Sequence, residues 1–105
     1  MQNSYQLKVT PIAEADLEAI YLYISKHLVA PKAANELMNE IENAIMRLTA
    51  FPYSGSPVKD DILRSRGYRR LIVKNYIVFY MMDEAEKQVV VMRVRYSGQK
   101  YENIL

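Results

Sequence analysis

Two arginines near the end of the chain have the residue type and spacing best suited to binding anions. Arg93 and Arg95 stand two residues apart in an apolar, β-branched segment. Alternate strand residues point to the same face, so the two guanidinium groups are expected about 7 Å apart. On a sheet they would lie near Arg69 or Arg70 of another strand. Such a cluster on an uncovered face would bind RNA phosphates or an acidic protein surface.

Aromatic side chains accompany this basic cluster. They would offer stacking surfaces for nucleobases, and the tyrosines concerned are Tyr76, Tyr80, Tyr96 and Tyr101. The alternative is that Tyr76 and Tyr80 fill the core of the sheet, as aromatic residues commonly do.

The charge of the chain is unevenly distributed. Residues 1–57 carry four basic and six acidic groups, whereas residues 58–105 carry ten basic and six acidic groups. Five cations and no acid occur between positions 64 and 74, namely Arg64, Arg66, Arg69, Arg70 and Lys74. This asymmetry favours an anionic partner for the second half, and the alternative is a solvated basic face.

Several chemistries lack the residues they need. The chain has no cysteine and one histidine, His27, so we predict neither a metal site nor a cofactor. His27 falls at the end of the first predicted helix, where a cation is favourable. No phosphate-binding glycine loop, nucleophile elbow or catalytic triad is evident.

The length of 105 residues predicts a single domain covering residues 1–105. The longest fully apolar run, residues 76–82, is far shorter than the roughly 20 residues that span a bilayer. No signal peptide is apparent, and we expect a cytoplasmic protein that does not interact with membranes.

Hydrophobic spacing in the first half predicts two helices. Apolar residues recur every three or four positions over residues 11–27, after Thr10 as the N-cap and Pro11 at the first helical position. A second apolar stripe covers residues 31–50. The short linker between them predicts an antiparallel helical hairpin.

The pattern of the remaining apolar segments predicts strands over residues 5–9, 68–73, 76–82 and 88–96. In the last strand, strict alternation puts Val89, Val91, Arg93 and Arg95 on one face and Val90, Met92, Val94 and Tyr96 on the other. Residues 51–57 have loop composition, and residues 59–62 fit either a helical turn or a loop. We therefore predict an α+β fold of order β-α-α-β-β-β. It would be a four-stranded antiparallel sheet with the helical hairpin on one face and a partly open opposite face.

Four segments in this order resemble the RelE/ParE superfamily, the toxins of bacterial type II toxin–antitoxin systems. They are AEADLEAIYLYI at 13–24, IENAIMRL at 41–48 with FPYSG at 51–55, YRRLIVKNYIVFY at 68–80, and RVRY at 93–96. The first half is more similar to the ParE-type branch. The resemblance implies the fold order already predicted from periodicity.

The ParE-type resemblance implies a toxin that binds and poisons DNA gyrase rather than catalysing a reaction. The residues expected to contact the target are Arg93, Arg95, Tyr96, Lys100 and Tyr101. A cognate antitoxin is also implied, and the basic residues Arg64, Arg66, Arg69, Arg70 and Lys74 are expected to receive its acidic side chains.

The RelE-type alternative is a ribosome-dependent mRNA endonuclease. Its relatives usually carry a catalytic arginine where this chain has Ile77, and another arginine where it has Gln99. Neither replacement stabilises a developing phosphorane charge as well. A nuclease would have to use Arg69, Arg93, Arg95, Lys100 and Tyr101 instead. A third possibility is a non-toxic remnant that only binds an antitoxin.

Overall fold

The structure is a computed structural model, and it describes residues 4–98. The helices are α1 (Pro11–Leu22), which continues into a π-helical turn (Tyr23–His27), α2 (Pro31–Arg47) and α3 (Asp61–Ser65). The strands are β1 (Gln6–Val9), β2 (Ser56–Pro57), β3 (Arg69–Val73), β4 (Tyr76–Asp83) and β5 (Gln88–Tyr96).

The predicted helical hairpin is confirmed, with two adjustments at its ends. The Thr10 hydroxyl accepts a hydrogen bond from the Ala13 N–H at 3.1 Å, and Pro11 occupies the first helical position. The first helix is α-helical only to Leu22, and its last five predicted residues form the π-helical turn. The second helix ends at Arg47, because residues 48–50 form turns.

The sheet has five strands and is mixed, so the prediction of a four-stranded antiparallel sheet was wrong. Its order is β1-β5-β4-β3-β2, with β1 parallel to β5 and the other pairs antiparallel. After the helical hairpin the chain comes back to the start of β1, since the Tyr5 N–H donates to the Thr49 carbonyl at 2.8 Å. The β3-β4-β5 meander then leaves β5 running in the direction of β1, which makes that pair parallel.

A β-bulge in β5 overturns the predicted faces of that strand. Phe79 pairs with Arg93 and Tyr80 pairs with Val91, so Met92 is the extra residue. Val91 and Val94 therefore both pack against the helices, although strict alternation put them on opposite faces. Arg93 and Arg95 pair with Phe79 and Ile77, whose side chains lie on the outer face. The Arg93 side chain nevertheless contacts the helical layer, because it bonds Asp16 of α1.

The core lies on both sides of the sheet. The helical hairpin covers one face, where Ile41, Ile45 and Val78 are buried. On the outer face, Val58, Leu63 and Tyr68 cover Ile77 and Phe79. That face is partly open, as predicted, because Ile72 remains 59% exposed.

Two short elements lie in the segment that covers the outer face of the sheet. The ambiguous segment at 59–62 starts α3, and the Asp60 carboxylate caps it by accepting from the Leu63 N–H at 2.9 Å. The two residues of β2 pair with Arg70 and Arg69, in a segment predicted to be loop. A two-residue strand is too short to show any period in the sequence. Within residues 4–98 no helix has the length and apolar character to cross a membrane.

Candidate protein-binding groove

An open groove of about 910 Å³ lies between the first helix and the end of β5. Its lining is largely apolar and aromatic. The lining consists of Asp16, Ala19, Ile20, Tyr23, Ile24, Leu28, Leu37, Asn75, Tyr76, Arg93, Val94, Arg95 and Tyr96. The groove therefore contains three of the predicted target-binding residues, Arg93, Arg95 and Tyr96.

Arg93 is held at one end of the groove by Asp16 of α1. Its Nε donates to Asp16 Oδ2 at 2.8 Å, and its Nη2 donates to Oδ1 at 3.0 Å. The two side chains are only 20% and 15% exposed. These hydrogen bonds raise the pKa of Arg93 further above its ordinary value. The pair fixes α1 against the edge of β5, so Arg93 has a structural role whatever else it contacts.

Arg95 and Tyr96 form the other end of the groove. Tyr96 is 52% exposed, and its ring meets that of Tyr76 edge-on at 5.7 Å between centroids. Burial raises the pKa of the Tyr76 hydroxyl above its usual value. Of the two tyrosines discussed as core residues, Tyr80 is fully buried, whereas Tyr76 is half-buried and lines the groove.

The tip of the helical hairpin contributes Tyr23, Ile24 and Leu28 to the lining of the groove. Tyr23 stacks on His27 at 5.1 Å within the π-helical turn, at the helix end predicted for this histidine. Val29 follows with φ of 51°, in the left-handed region that β-branched residues rarely adopt. Such strain and π-helical turns both occur often at functional sites.

The structure does not bring the predicted antitoxin-binding cations together. Strand alternation puts Arg69 and Arg70 on opposite faces of β3. Arg69 turns towards the loop after α2, where it donates to the Gly55 carbonyl at 2.7 Å and lies 5.0 Å from the Tyr53 ring. Lys74 is at the opposite end of β3, about 17 Å from Arg69 at the strand rise.

The other cations are also widely spaced. Lys74 pairs with Glu40 of α2 at 3.7 Å. Arg64 lies on α3, where it pairs with Asp61, and Arg66 ends that helix. The basic run of the sequence is thus distributed over both faces and both ends of β3. The predicted contacts Lys100 and Tyr101, and also Gln99, lie outside the described residues.

Sequence reasoning missed the partner of Arg93 and the groove itself. Asp16 lies in the segment predicted as the first helix, and nothing local in the sequence links it to a strand 77 residues later. The groove is made by residues from α1, the hairpin tip, α2, β4 and β5, so no single segment carries a signal for it. In the part of the chain that the structure describes, no three His, Asp or Glu residues group as metal ligands.

The family of the chain follows from its sequence. Residues 7–101 match the profile described as the ParE toxin of the type II toxin–antitoxin system parDE. The chain belongs to the ParE toxin family. This match covers every helix and strand of the described structure apart from the first residue of β1.

Two solved structures share the fold of this ParE-family toxin. The chromosomal ParDE toxin–antitoxin system of P. aeruginosa matches with a TM-score of 0.73 and 23% identity, covering 90% of this chain and 98% of that one. The toxin–antitoxin complex RelBE2 of Mycobacterium tuberculosis matches with a TM-score of 0.59 and 22% identity, over 89% and 98% of the two chains. No curated protein sequence matches this chain.

Proposed function

We propose that this chain is a cytoplasmic toxin that stops growth by binding and poisoning DNA gyrase, and that a cognate antitoxin neutralises it. The observation that carries the proposal is the ParE-family match over residues 7–101. Solved structures with this fold include toxin–antitoxin systems, which supports an antitoxin as the partner.

The surroundings of Ile77 favour binding over nuclease chemistry. RelE-type relatives usually place a catalytic arginine at this position. Here Ile77 is 3% exposed and packs under the α3 segment with Phe79 and Tyr68. An arginine could not simply be restored, because its charge would be buried among apolar side chains.

Arg95 and Tyr96 are the described residues proposed to contact the target. They lie at the open end of β5, and Lys100 and Tyr101 follow them in the chain. Arginine and tyrosine are enriched at the energetic centres of protein interfaces. Arg93 is proposed to act with them, although its bond to Asp16 also makes it a positioning residue.

The test is a pulse-labelling time course after induction of the chain in bacteria, with DNA and protein synthesis followed in the same culture. We expect DNA synthesis to fail first. Earlier failure of protein synthesis, with cuts in translated mRNA, would replace this proposal by a ribosome-dependent nuclease using Arg69, Arg93, Arg95, Lys100 and Tyr101. Normal growth under strong induction would identify a non-toxic remnant.

Variants locate the target surface. Arg95→Glu is expected to abolish toxicity in a variant that still unfolds cooperatively on heating. Arg66→Glu, an exposed cation beyond the groove, serves as the matched control and should remain toxic. Arg93→Ala combined with Arg95→Ala should also abolish toxicity, but it removes the bond to Asp16 as well. Full toxicity of Arg95→Glu would exclude this surface.

The antitoxin is proposed to contact Arg64, Arg66, Arg69, Arg70 and Lys74. Because these residues are dispersed, one short acidic segment cannot reach them all, and the antitoxin would have to wrap around the sheet. Adding the antitoxin should raise the melting temperature by mass action. An unchanged melting temperature would contradict the partnership.

A further inference from the structure

Part of β3 lies at an open edge of the sheet, on the side away from β5. The strand β2 pairs with only the first two residues of β3, so residues 71–73 extend beyond it. The Tyr68 carbonyl accepts from the Val58 N–H at 3.3 Å on the β2 side of the strand. Because alternate residues point their backbone groups to the same side, the N–H and the carbonyl of Ile72 face this edge. The Ile72 side chain is 59% exposed, and such an edge is a surface that proteins usually pair or cover.

The helix α2 runs beside this edge and forms a depression with it. The depression has a volume of about 220 Å³. Glu40, Asn43, Ala44 and Arg47 of α2 line one side, and residues 71–73 of β3 line the other. These seven residues form what we call the β3-edge surface.

The helix and the strand run in opposite directions along the β3-edge surface. Glu40 Oε1 lies 3.7 Å from Lys74 Nζ, where β3 has just ended. Arg47 ends the same helix, about 10 Å further along its axis at the helical rise. Three strand residues span about the same distance, so Arg47 lies level with Leu71.

The two ends of the β3-edge surface carry opposite charges. Its middle lies between Asn43 and Ala44 on the helix and beside Ile72 on the strand. Glu40 and Arg47 lie at equal distances on either side of this middle, and both side chains are exposed. A half-turn rotation about an axis through the middle exchanges the two charges. The surface is therefore complementary to a second copy of itself.

We propose that two copies of this chain associate through the β3-edge surface as a symmetric dimer. Ile72 of each copy packs against Ile72 of the other at the twofold axis. Two equivalent ion pairs join Glu40 of one copy to Arg47 of the other. Glu40 then lies between Lys74 of its own chain and Arg47 of the second copy. Association removes the exposed Ile72 side chain from water and covers the open strand edge.

The proposed dimer leaves the groove accessible in each copy. Strand order places β5 two strands away from β3, towards the other side of the sheet. The dimer would therefore carry two target surfaces, and the inference holds whether or not the target is gyrase. Because each copy contributes only one side of a helix and three strand residues, we expect a weak dimer with a dissociation constant in the micromolar range.

Sedimentation equilibrium of the full chain tests the proposal. The wild type should change from monomer to dimer between about 1 μM and about 500 μM. Arg47→Glu puts like charges together at both ends of the interface and should raise the dimer dissociation constant by about tenfold or more. Glu40→Arg should do the same. Glu42→Arg is the matched control, because Glu42 is an exposed acid of α2 outside the β3-edge surface, and it should dimerise as the wild type does.

A mixture of the two charge-reversed variants provides the sharper measurement. Each variant alone has a repulsive contact at both ends of the interface. When Arg47→Glu meets Glu40→Arg, one end pairs the two original residues and the other end pairs the two substituted ones, so both contacts are attractive. The mixture should therefore form a heterodimer with about the wild-type dissociation constant. This recovery would also show that both variants are folded.

The remaining outcomes would overturn the proposal. A wild type that stays monomeric up to about 500 μM would exclude the dimer. Dimerisation that is unchanged in both single variants would place the interface elsewhere, for example at the exposed hairpin tip. Two monomeric variants that fail to associate on mixing would show that the charges do not meet across an interface. Equal weakening in Glu42→Arg would implicate the overall charge of α2 instead of the β3-edge surface.

Discussion

Asp16 joins α1 to the end of the sheet through one carboxylate. It accepts two hydrogen bonds from the Arg93 guanidinium and a third from the Val94 backbone. Both side chains of the pair are largely shielded from water, so each depends on the other to compensate for lost hydration. The same carboxylate also stops the strand edge at Val94, because it takes the place of the next strand.

Replacing Asp16 tests this role. Asp16→Ala should lower the free energy of unfolding by about 2 kcal/mol, since it leaves the Arg93 guanidinium and the Val94 N–H without their acceptor. Urea denaturation measures the change. Glu14→Ala is the control, because Glu14 is an exposed acid in the first turn of the same helix and should cost about 0.5 kcal/mol. Equal losses in the two variants would show that Asp16 acts only through the helix dipole.

Among the secondary-structure elements, β5 contacts two neighbouring strands and also lines the groove. It pairs with β1 along its first half and with β4 along its whole length, and its open end lines the groove. The bulge at Met92 lets Val91 and Val94 both face the helices, so Arg93 and Arg95 stay outside the core. Opposite that end, the π-helical turn and Val29 shape the tip of the hairpin.

The strain at the hairpin tip should be measurable. Val29 has φ of 51° and is 80% exposed, so replacing it removes little buried surface. Val29→Asn should raise the free energy of unfolding by about 0.5–1 kcal/mol, because asparagine tolerates the left-handed region. Val29→Ala is the control for loss of the side chain. If the alanine variant is as stable as the asparagine variant, strain at this residue is not the cause.

At the scale of the whole molecule, Glu84 ties together segments that are far apart in sequence. The Tyr5 hydroxyl donates to Glu84 Oε1 at 2.7 Å, and the Tyr53 hydroxyl donates to Oε2 at 2.5 Å. The start of the chain, the loop after α2 and the β4–β5 turn thus meet at one carboxylate. Lys87 adds an ion pair to Glu84 at 3.9 Å and lies 5.3 Å from the Tyr5 ring centroid.

This cluster predicts a specific pH dependence. Hydrogen bonds from Tyr53 and Tyr5 lower the pKa of Glu84. A carboxyl with a lower pKa in the folded state stabilises the fold above its unfolded pKa of about 4.3, and this contribution is lost as the pH falls through the folded value. The urea midpoint of Glu84→Gln should therefore fall less than that of the wild type between about pH 6 and pH 3.

Glu86→Gln is the control for this pH profile, since Glu86 lies on the same turn but accepts neither tyrosine hydroxyl. It should follow the wild-type curve. The high-pH side offers an independent check, because the bond to Glu84 raises the pKa of Tyr5 to about 12. Spectroscopic titration of Glu84→Gln should show a tyrosine ionising closer to 10. Identical profiles for both glutamine variants would refute the role of Glu84.

Short-range features of the sequence were enough to predict the two long helices, the antiparallel strands β3 to β5 and the family. The three-and-four spacing of apolar residues, the Thr10 cap and Pro11 are short-range features, and they predicted the helical hairpin. The alternating segments at 68–73, 76–82 and 88–96 predicted β3, β4 and β5. Such signals are reliable because each element carries its own periodicity and end residues.

Only the tertiary structure decided which segments meet. The parallel pairing of β1 with β5 depends on how the hairpin returns the chain, and no residue in β1 encodes it locally. The bulge at Met92 depends on packing against both faces, so strict alternation misassigned Val91 and Val94. The hydrogen bonds from Arg93 to Asp16 and the wide spacing of the basic residues 64–74 also depend on strand order and register. Side-chain neighbours across a sheet are set by register and strand order, which are properties of the folded chain.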